Sequence, residues 1–376
     1  MTLPHDDIDP DGLLEYSVVF TDRSLNHMSK RFIGVMQGLL GILRTTYHAG
    51  SVAVVPGGGT YGMEAVARQL ATGRRVLVVR NGLFSYRWSQ ILETGGITDQ
   101  VTVCQARPVS DAHQAAWAPA PIDEVVAAVR EQRPEVVFAP HVETASGILL
   151  PDDYLTTLAA AVHEVGGLFV LDCVASGALW VDMATIDVDV LLTAPQKGWS
   201  GTPCAGYVML RERGRDAVLN STSTSFAMDL RKWLSISDSY VDGQAPYHAT
   251  MPTDSLAHNV ELMRETVDLG AEELRSRQLD LGSRVRKLLA ANGMPSVAAE
   301  GFDAATVVVA FTDDAARKTG AAFKEVGLQI AAGVPLQCGE GEDYSSLRIG
   351  LFGVDKLTDV DGTVERLSAA LERLKG

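Results

Sequence analysis

Residues 168–201 read LFVLDCVASGALWVDMATIDVDVLLTAPQKGWSG. Two apolar runs, LFVL and DVLLT, stop at Asp172 and shortly before Lys197. In an open parallel sheet the carboxyl ends of the strands form the ligand crevice, so this pattern puts an aspartate and a lysine on one rim. The same rhythm extends upstream, with strand-like SVAVVP, RRVLVVRNG and EVVFAPHVE alternating with helix-like GMEAVARQLATG, FSYRWSQILETGG, IDEVVAAVREQ and DDYLTTLAAAVHEVGG. Short β-branched runs that alternate with helical periodicity predict a mostly parallel sheet covered by helices, with at least five strands between residues 50 and 200.

Downstream, Ser255 to Asn292 is helical and charged, with interruptions expected at Gly270 and Gly282. ATVVVAFTD, LQIAAGV and SSLRIGLFG then read as strands, and GTVERLSAALERLKG closes the chain with Val364, Leu367, Leu371 and Leu374 on one helical face. The expected organisation is an N-terminal segment, 1–29, near the active site, a large α/β domain, 30–254, and a linking helix with a smaller α+β domain, 255–376.

Composition narrows the function. The chain has 376 residues, 46% hydrophobic and 21% charged, which is ordinary for a folded protein large enough for two units. Its 32 basic and 47 acidic residues give a net charge of -15, which disfavours nucleic acid and anionic membrane as partners. FIGVMQGLLGIL, the best apolar stretch, is too short to span a bilayer, and a cytoplasmic location is expected. Cys104, Cys173, Cys204 and Cys338 form no C-x-x-C pair, which fits reduced thiols. His141 and Glu143 followed by Pro203-Cys204 brush against the zinc deaminase pattern, but Tyr207 stands where its second cysteine is needed, and no metal site is expected.

VVPGGGTYGMEA, residues 54–65, has Gly57, Gly59 and Gly62 at dinucleotide-fingerprint spacing. A nicotinamide site also needs a carboxylate after the second strand, and that strand ends in Arg80-Asn81-Gly82. What survives is a glycine-rich helix start whose N–H groups and positive dipole end suit a phosphate. Glycine loop, aspartate and lysine together are what pyridoxal phosphate chemistry requires. The lysine forms a Schiff base, the carboxylate keeps the pyridine nitrogen protonated, and the loop binds the phosphate.

On these residues the sequence resembles the class V aminotransferases of fold type I, most of all the alanine–glyoxylate and serine–pyruvate branch. The likeness runs from about His27 through most of the chain. TAPQKGWSGTPCAG implies Lys197 as the Schiff-base lysine and Gln196 as a phosphate contact, and GGTYGMEA implies Gly58, Gly59 and Thr60 as the phosphate loop. NGLFSYRW implies Phe84 stacked on the pyridine ring, and HVETASGILLP implies a cofactor-binding hydroxyl at Thr144. YHATMPT implies Tyr247 and Thr250 touching the phosphate of a second subunit, hence a homodimer with shared active sites. LRIGLFG implies Arg348 as the fork that grips the substrate carboxylate. The activity implied is transfer of an amino group from a small amino acid, of alanine or serine type, to a small 2-oxo acid such as glyoxylate or pyruvate.

One segment departs from the family. Its usual Gly-Pro-Gly start is replaced by LLEYSVVFTDRSLNHMSKRF, of which only His27 and Ser29 match the family's approach to its first helix. The alternatives are a cysteine desulfurase or related lyase, suggested by Cys338 in LQCGEGEDYSSLRIG, and an aminophosphonate transaminase. A desulfurase would carry a histidine on the ring and beside the lysine, where this chain has Phe84 and Gln196. A cofactor-binding protein without catalysis and a nicotinamide oxidoreductase are the readings from other classes.

Overall fold

The computed structural model describes residues 6–374; the first five residues of the N-terminal segment and the last two of the closing helix lie outside the described residues. Among the described residues, seven strands form the main sheet. They are β1 (Ser51–Pro56), β2 (Val76–Arg80), β3 (Val101–Gln105), β4 (Val136–Pro140), β5 (Leu168–Asp172), β6 (Val190–Thr193) and β7 (Ala205–Leu210), in the order β1-β7-β6-β5-β4-β2-β3. The run from β6 to β3 is parallel throughout, and β7 is antiparallel to both of its neighbours. Strands β1, β2, β4, β5 and β6 read as unbroken Val/Leu-rich runs because both faces are covered, and they are buried over almost their whole length. Edge strand β3 is only half-buried.

The main helices are α1 (Lys30–Tyr47), α2 (Gly59–Leu70), α3 (Leu83–Thr94), α4 (Ile122–Gln132), α5 (Asp152–Glu164), α6 (Leu230–Val241), α7 (Thr253–Asp268), α8 (Ala271–Ala291), α9 (Val354–Thr358) and α10 (Val360–Arg373). Ser29, half of the matched His-x-Ser pair, is the N-cap of α1 and accepts from the Phe32 N–H at 3.0 Å. Gly270 separates α7 from α8 with φ of 86°, a left-handed conformation that suits glycine. Gly282 does not interrupt: it lies inside α8, where its missing side chain lets the helix press on the Ala305 backbone.

A second sheet is antiparallel, with β8 (Val307–Phe311) beside β10 (Ser346–Gly350) and β9 (Ala331–Ala332) on the other side of β10. LQIAAGV thus contributes only two strand residues, both exposed at the sheet edge; Gly333 ends the run by packing against the Ser346 carbonyl. A cluster at the seam contains Val142 and Ala175, from the segments that follow β4 and β5 of the first sheet, and Val307, Val309 and Phe311 from the second, with Phe84 and Phe352 packed on it. The site described next borders this seam. No helix of the described residues is long and apolar enough to cross a membrane.

Helix α2 sits tightly on the sheet because two glycines meet there. A Cβ on Gly206 would stand 2.9 Å from both the Gly58 carbonyl oxygen and the Gly62 Cα, and one on Gly62 would stand 2.6 Å from Leu192 Cδ1. Gly206→Ala is expected to lift the start of α2 and to destabilise the protein by about 1–3 kcal/mol, the usual cost of overpacking. Denaturant midpoints of the two proteins check this; an unchanged midpoint refutes it.

Candidate active site

The turn after β6 carries Gln196 and Lys197 and is pinned on several sides. The Gly201 N–H donates to the Pro195 carbonyl at 2.9 Å, and that of Ser200 to the Lys197 carbonyl at 3.1 Å. Buried Asn259 on α7 accepts from the Thr202 N–H at 2.7 Å and donates back to the Thr202 carbonyl at 3.0 Å. The Lys197 Nζ lies 5.0 Å from the centroid of the Phe352 ring. Burial, reinforced by Arg348 and Arg87 and opposed by Asp172, holds its ammonium below the ordinary lysine range. A desolvated lysine keeps more of its amine neutral, the form a nucleophile or base needs.

Asp172 ends β5 and accepts from the Val174 N–H at 3.0 Å. Burial, with Glu143 adding to it, pushes its carboxyl up to about 6 in spite of that hydrogen bond and of Lys197 and Arg87. Such a carboxylate is poised to gain from a positive partner.

The start of α2 faces the same turn. Gly58 is its N-cap and offers no side-chain cap, so the first N–H groups of the helix have no side-chain acceptor. A Cβ on Gly59 would stand 3.1 Å from Val174, so the glycine lets this helix end reach the Asp172 turn. Beside it, Thr60 Oγ1 is 3.5 Å from an Arg87 nitrogen.

Phe84, in the first turn of α3, has two guanidinium groups near its ring: Arg87 lies 4.7 Å and Arg348 5.6 Å from the ring centroid. What fixes Phe84 is Glu143, fully buried at the end of a short hairpin strand. Its carboxylate accepts from the N–H of Phe84 at 3.2 Å, of Ser85 at 2.8 Å and of Ala145 at 2.9 Å, and from Ser85 Oγ at 2.7 Å. A negative group at a helix N-terminus is favoured by the dipole as well as by the bonds. Glu143→Ala leaves these buried donors without their acceptor, so a loss of about 3 kcal/mol in stability is expected, read from chemical denaturation.

Arg348 is on β10, facing Val309 and Ala331 across the ladder. Its Nε donates to the Ala332 carbonyl at 2.8 Å, which orients the guanidinium and leaves its terminal nitrogens for another acceptor. Thr144 is buried in the turn after Glu143, and the Gln196 amide oxygen is buried with no hydrogen-bond partner. Tyr247 and Thr250 stand apart from this cluster. They are exposed, joined by a 3.0 Å hydrogen bond, and Tyr247 packs edge-on against His27.

Cys338 is buried, with its sulfur 3.6 Å from the Arg80 carbonyl oxygen. Burial, with Glu143 and Glu340 nearby, pushes its thiol up to about 12. A desulfurase needs a mobile thiolate, and this side chain is a packed thiol. Arg87, Glu143 and Phe352 were not singled out as site residues from the sequence. Arg87 follows Phe84 by three residues on one helix, a spacing that carries a signal; nothing local marks Glu143 as the anchor of a helix 58 residues away from it in sequence.

No profile of a known protein family matches the chain. A 2-aminoethylphosphonate–pyruvate transaminase from Burkholderia pseudomallei is 29% identical over 328 residues, covering 85% of this chain and 82% of that relative. Among solved structures, the alanine–glyoxylate aminotransferase of Nostoc sp. superimposes with a TM-score of 0.77 at 21% identity, over 94% of this chain and 89% of its own. The ureidoglycine–glyoxylate aminotransferase of Bacillus subtilis gives 0.76 at 20% identity, over 96% and 89%. The chain has the fold of the fold type I aminotransferases, and the curated relative it matches is a transaminase. In this chain the strand-end aspartate and lysine, the glycine helix start and the paired arginines meet at one seam between the two sheets.

Proposed function

We propose that this protein is an aminotransferase that uses pyridoxal 5′-phosphate to move an amino group from a small amino acid of alanine or serine type to a small 2-oxo acid such as glyoxylate or pyruvate. The observation that carries this is the convergence of Lys197 and Asp172, on consecutive strand ends, upon an uncapped glycine helix start.

The residues fit the cofactor. The uncapped N–H groups at Gly59 and Thr60, with Gly58 before them, suit a phosphate, and Arg87 stands beside Thr60. The orphaned amide of Gln196 and the hydroxyl of Thr144 supply further polar partners. Asp172 suits a protonated ring nitrogen and Phe84 a ring face. When bound, the cofactor supplies an electron sink for the charge left on the substrate α-carbon.

The chain's own residues do the rest. Arg348 holds the substrate carboxylate through the two terminal nitrogens that Ala332 leaves free. Lys197 Nζ removes the substrate α-proton as a base and returns it as an acid, a task helped by its lowered basicity. Glu143 keeps Phe84 in place through the start of α3. Tyr247 and Thr250, exposed and already bonded to each other, reach the phosphate of a second subunit, so the working enzyme is a homodimer. The four free thiols favour a reducing, cytoplasmic setting.

A second reading has its own support. Arg87 gives the site a further cation near Phe84, and the curated relative named above is a 2-aminoethylphosphonate–pyruvate transaminase. A phosphonate donor suits two guanidinium groups. Absorbance of the holoenzyme, followed while alanine, serine and 2-aminoethylphosphonate are added singly, separates the readings. A fast spectral change with alanine or serine supports the first, one confined to the phosphonate supports the second, and a protein that binds no cofactor refutes both.

A further inference from the structure

The Lys197 turn is tied to the C-terminal unit by a hydrogen bond that neither the strands nor the glycine loop explains. Ser200 Oγ accepts from the N–H of Val354 at 2.7 Å. Val354 is the first residue of α9, whose N-cap, Gly353, has no side chain to cap with. The serine therefore supplies from another part of the fold the acceptor that a helix start normally finds in its own N-cap.

Three observations make this more than a stray contact. Ser200 has φ of 54°, a left-handed conformation that costs a non-glycine residue energy and that persists where surrounding structure requires it. The bond joins the lysine turn to the segment holding Phe352, whose ring lies 5.0 Å from Lys197 Nζ, and Phe352 follows β10, which carries Arg348. At its other end the turn is clamped to α7 by Asn259, and at Ser200 it is bonded to the start of α9.

We infer that Ser200 is a positioning residue, which sets the Lys197 amine in register with Phe352 and Arg348 by capping α9 across the seam. This deepens the proposed transamination and rests on it. A substrate whose carboxylate is held by Arg348 presents its α-carbon to Lys197 only if strand β10 and the lysine turn keep a fixed separation. Arg348 belongs to one of these parts and Lys197 to the other, and small errors in such separations cost catalysis heavily.

The test uses holoenzyme. Ser200→Ala removes the acceptor. Val354→Pro removes the donor at the first helical position, where proline is well tolerated and where Gly353, with ψ of 133°, already has the backbone a pre-proline residue prefers. Ser200→Asn keeps an acceptor on a residue that tolerates the left-handed region.

Release of the turn lets water reach Lys197. Ser200→Ala and Val354→Pro are therefore each expected to raise the pH midpoint of the lysine-linked cofactor's absorbance by about one unit. They should also raise KM for the amino donor by about tenfold with a smaller change in kcat. The double variant should be no worse than either single one, because both remove the same bond. Ser200→Asn should restore the midpoint.

Borohydride trapping of cofactor on Lys197 is measured in parallel. If Ser200→Ala traps cofactor and titrates like the parent, or if the two single effects add, the inference is overturned. A parent that traps no cofactor on Lys197 overturns the functional reading, and this inference with it.

Discussion

Lys197→Ala is expected to bind cofactor weakly and without a covalent link, and to transaminate at least about 10³-fold more slowly than the parent, since it loses both nucleophile and proton carrier. The turn around residue 197 does not depend on the lysine side chain. Its backbone bonds run between Pro195, Lys197, Ser200 and Gly201, and Asn259 holds Thr202. The variant should therefore keep its fold, and its circular dichroism and denaturant midpoint should match the parent. Borohydride reduction followed by peptide mass analysis gives the decisive readout: parent protein carries the reduced cofactor on the peptide with residue 197, and the variant carries none. Trapping on a different lysine would refute the assignment.

Asp172→Ala should retain the covalent link yet lose about 10²–10³-fold in transamination, the usual effect of deleting one preorganised charge partner. Its pH behaviour is a second signature. Burial raises the Asp172 carboxyl from its ordinary value near 3.8 to about 6. The folded state then binds more protons than the unfolded one between those values, so this group's contribution to stability is complete at the acid end and is lost as pH rises through about 6. Cofactor-free protein should lose stability across that window, and Asp172→Asn should flatten the slope. A positive ring nitrogen against the carboxylate reverses its preference, so loading with cofactor should also remove the slope. Denaturant midpoints at a series of pH values decide both points; a parent profile flat between pH 4 and 6 contradicts them.

Much of the candidate site was legible because its residues obey local rules. Asp172 and Lys197 follow apolar runs, Gly58 and Gly59 sit between a strand and a helix, and Arg348 stands in an apolar strand. The parts not legible depend on groups remote in sequence. Glu143 anchors the start of α3, Phe352 lies over the lysine, and Ser200 caps α9, each through contacts no window of sequence contains. Gly282 misled for the same reason: its role is to admit Ala305, a residue outside its own helix. Cys338 in its glycine-rich stretch suggests a desulfurase thiol, and only packing reveals it as buried.

Sequence alone determined the alternation of strands and helices, and with it the rim on which the aspartate, the lysine and the helix start gather, because side-chain periodicity and glycine backbone freedom act over a few residues. Tertiary structure decided how far those groups are desolvated, which cations surround them and what holds Phe84 and the lysine turn in place. Burial and charge act through space, and the chain segments they join here lie far apart along the sequence.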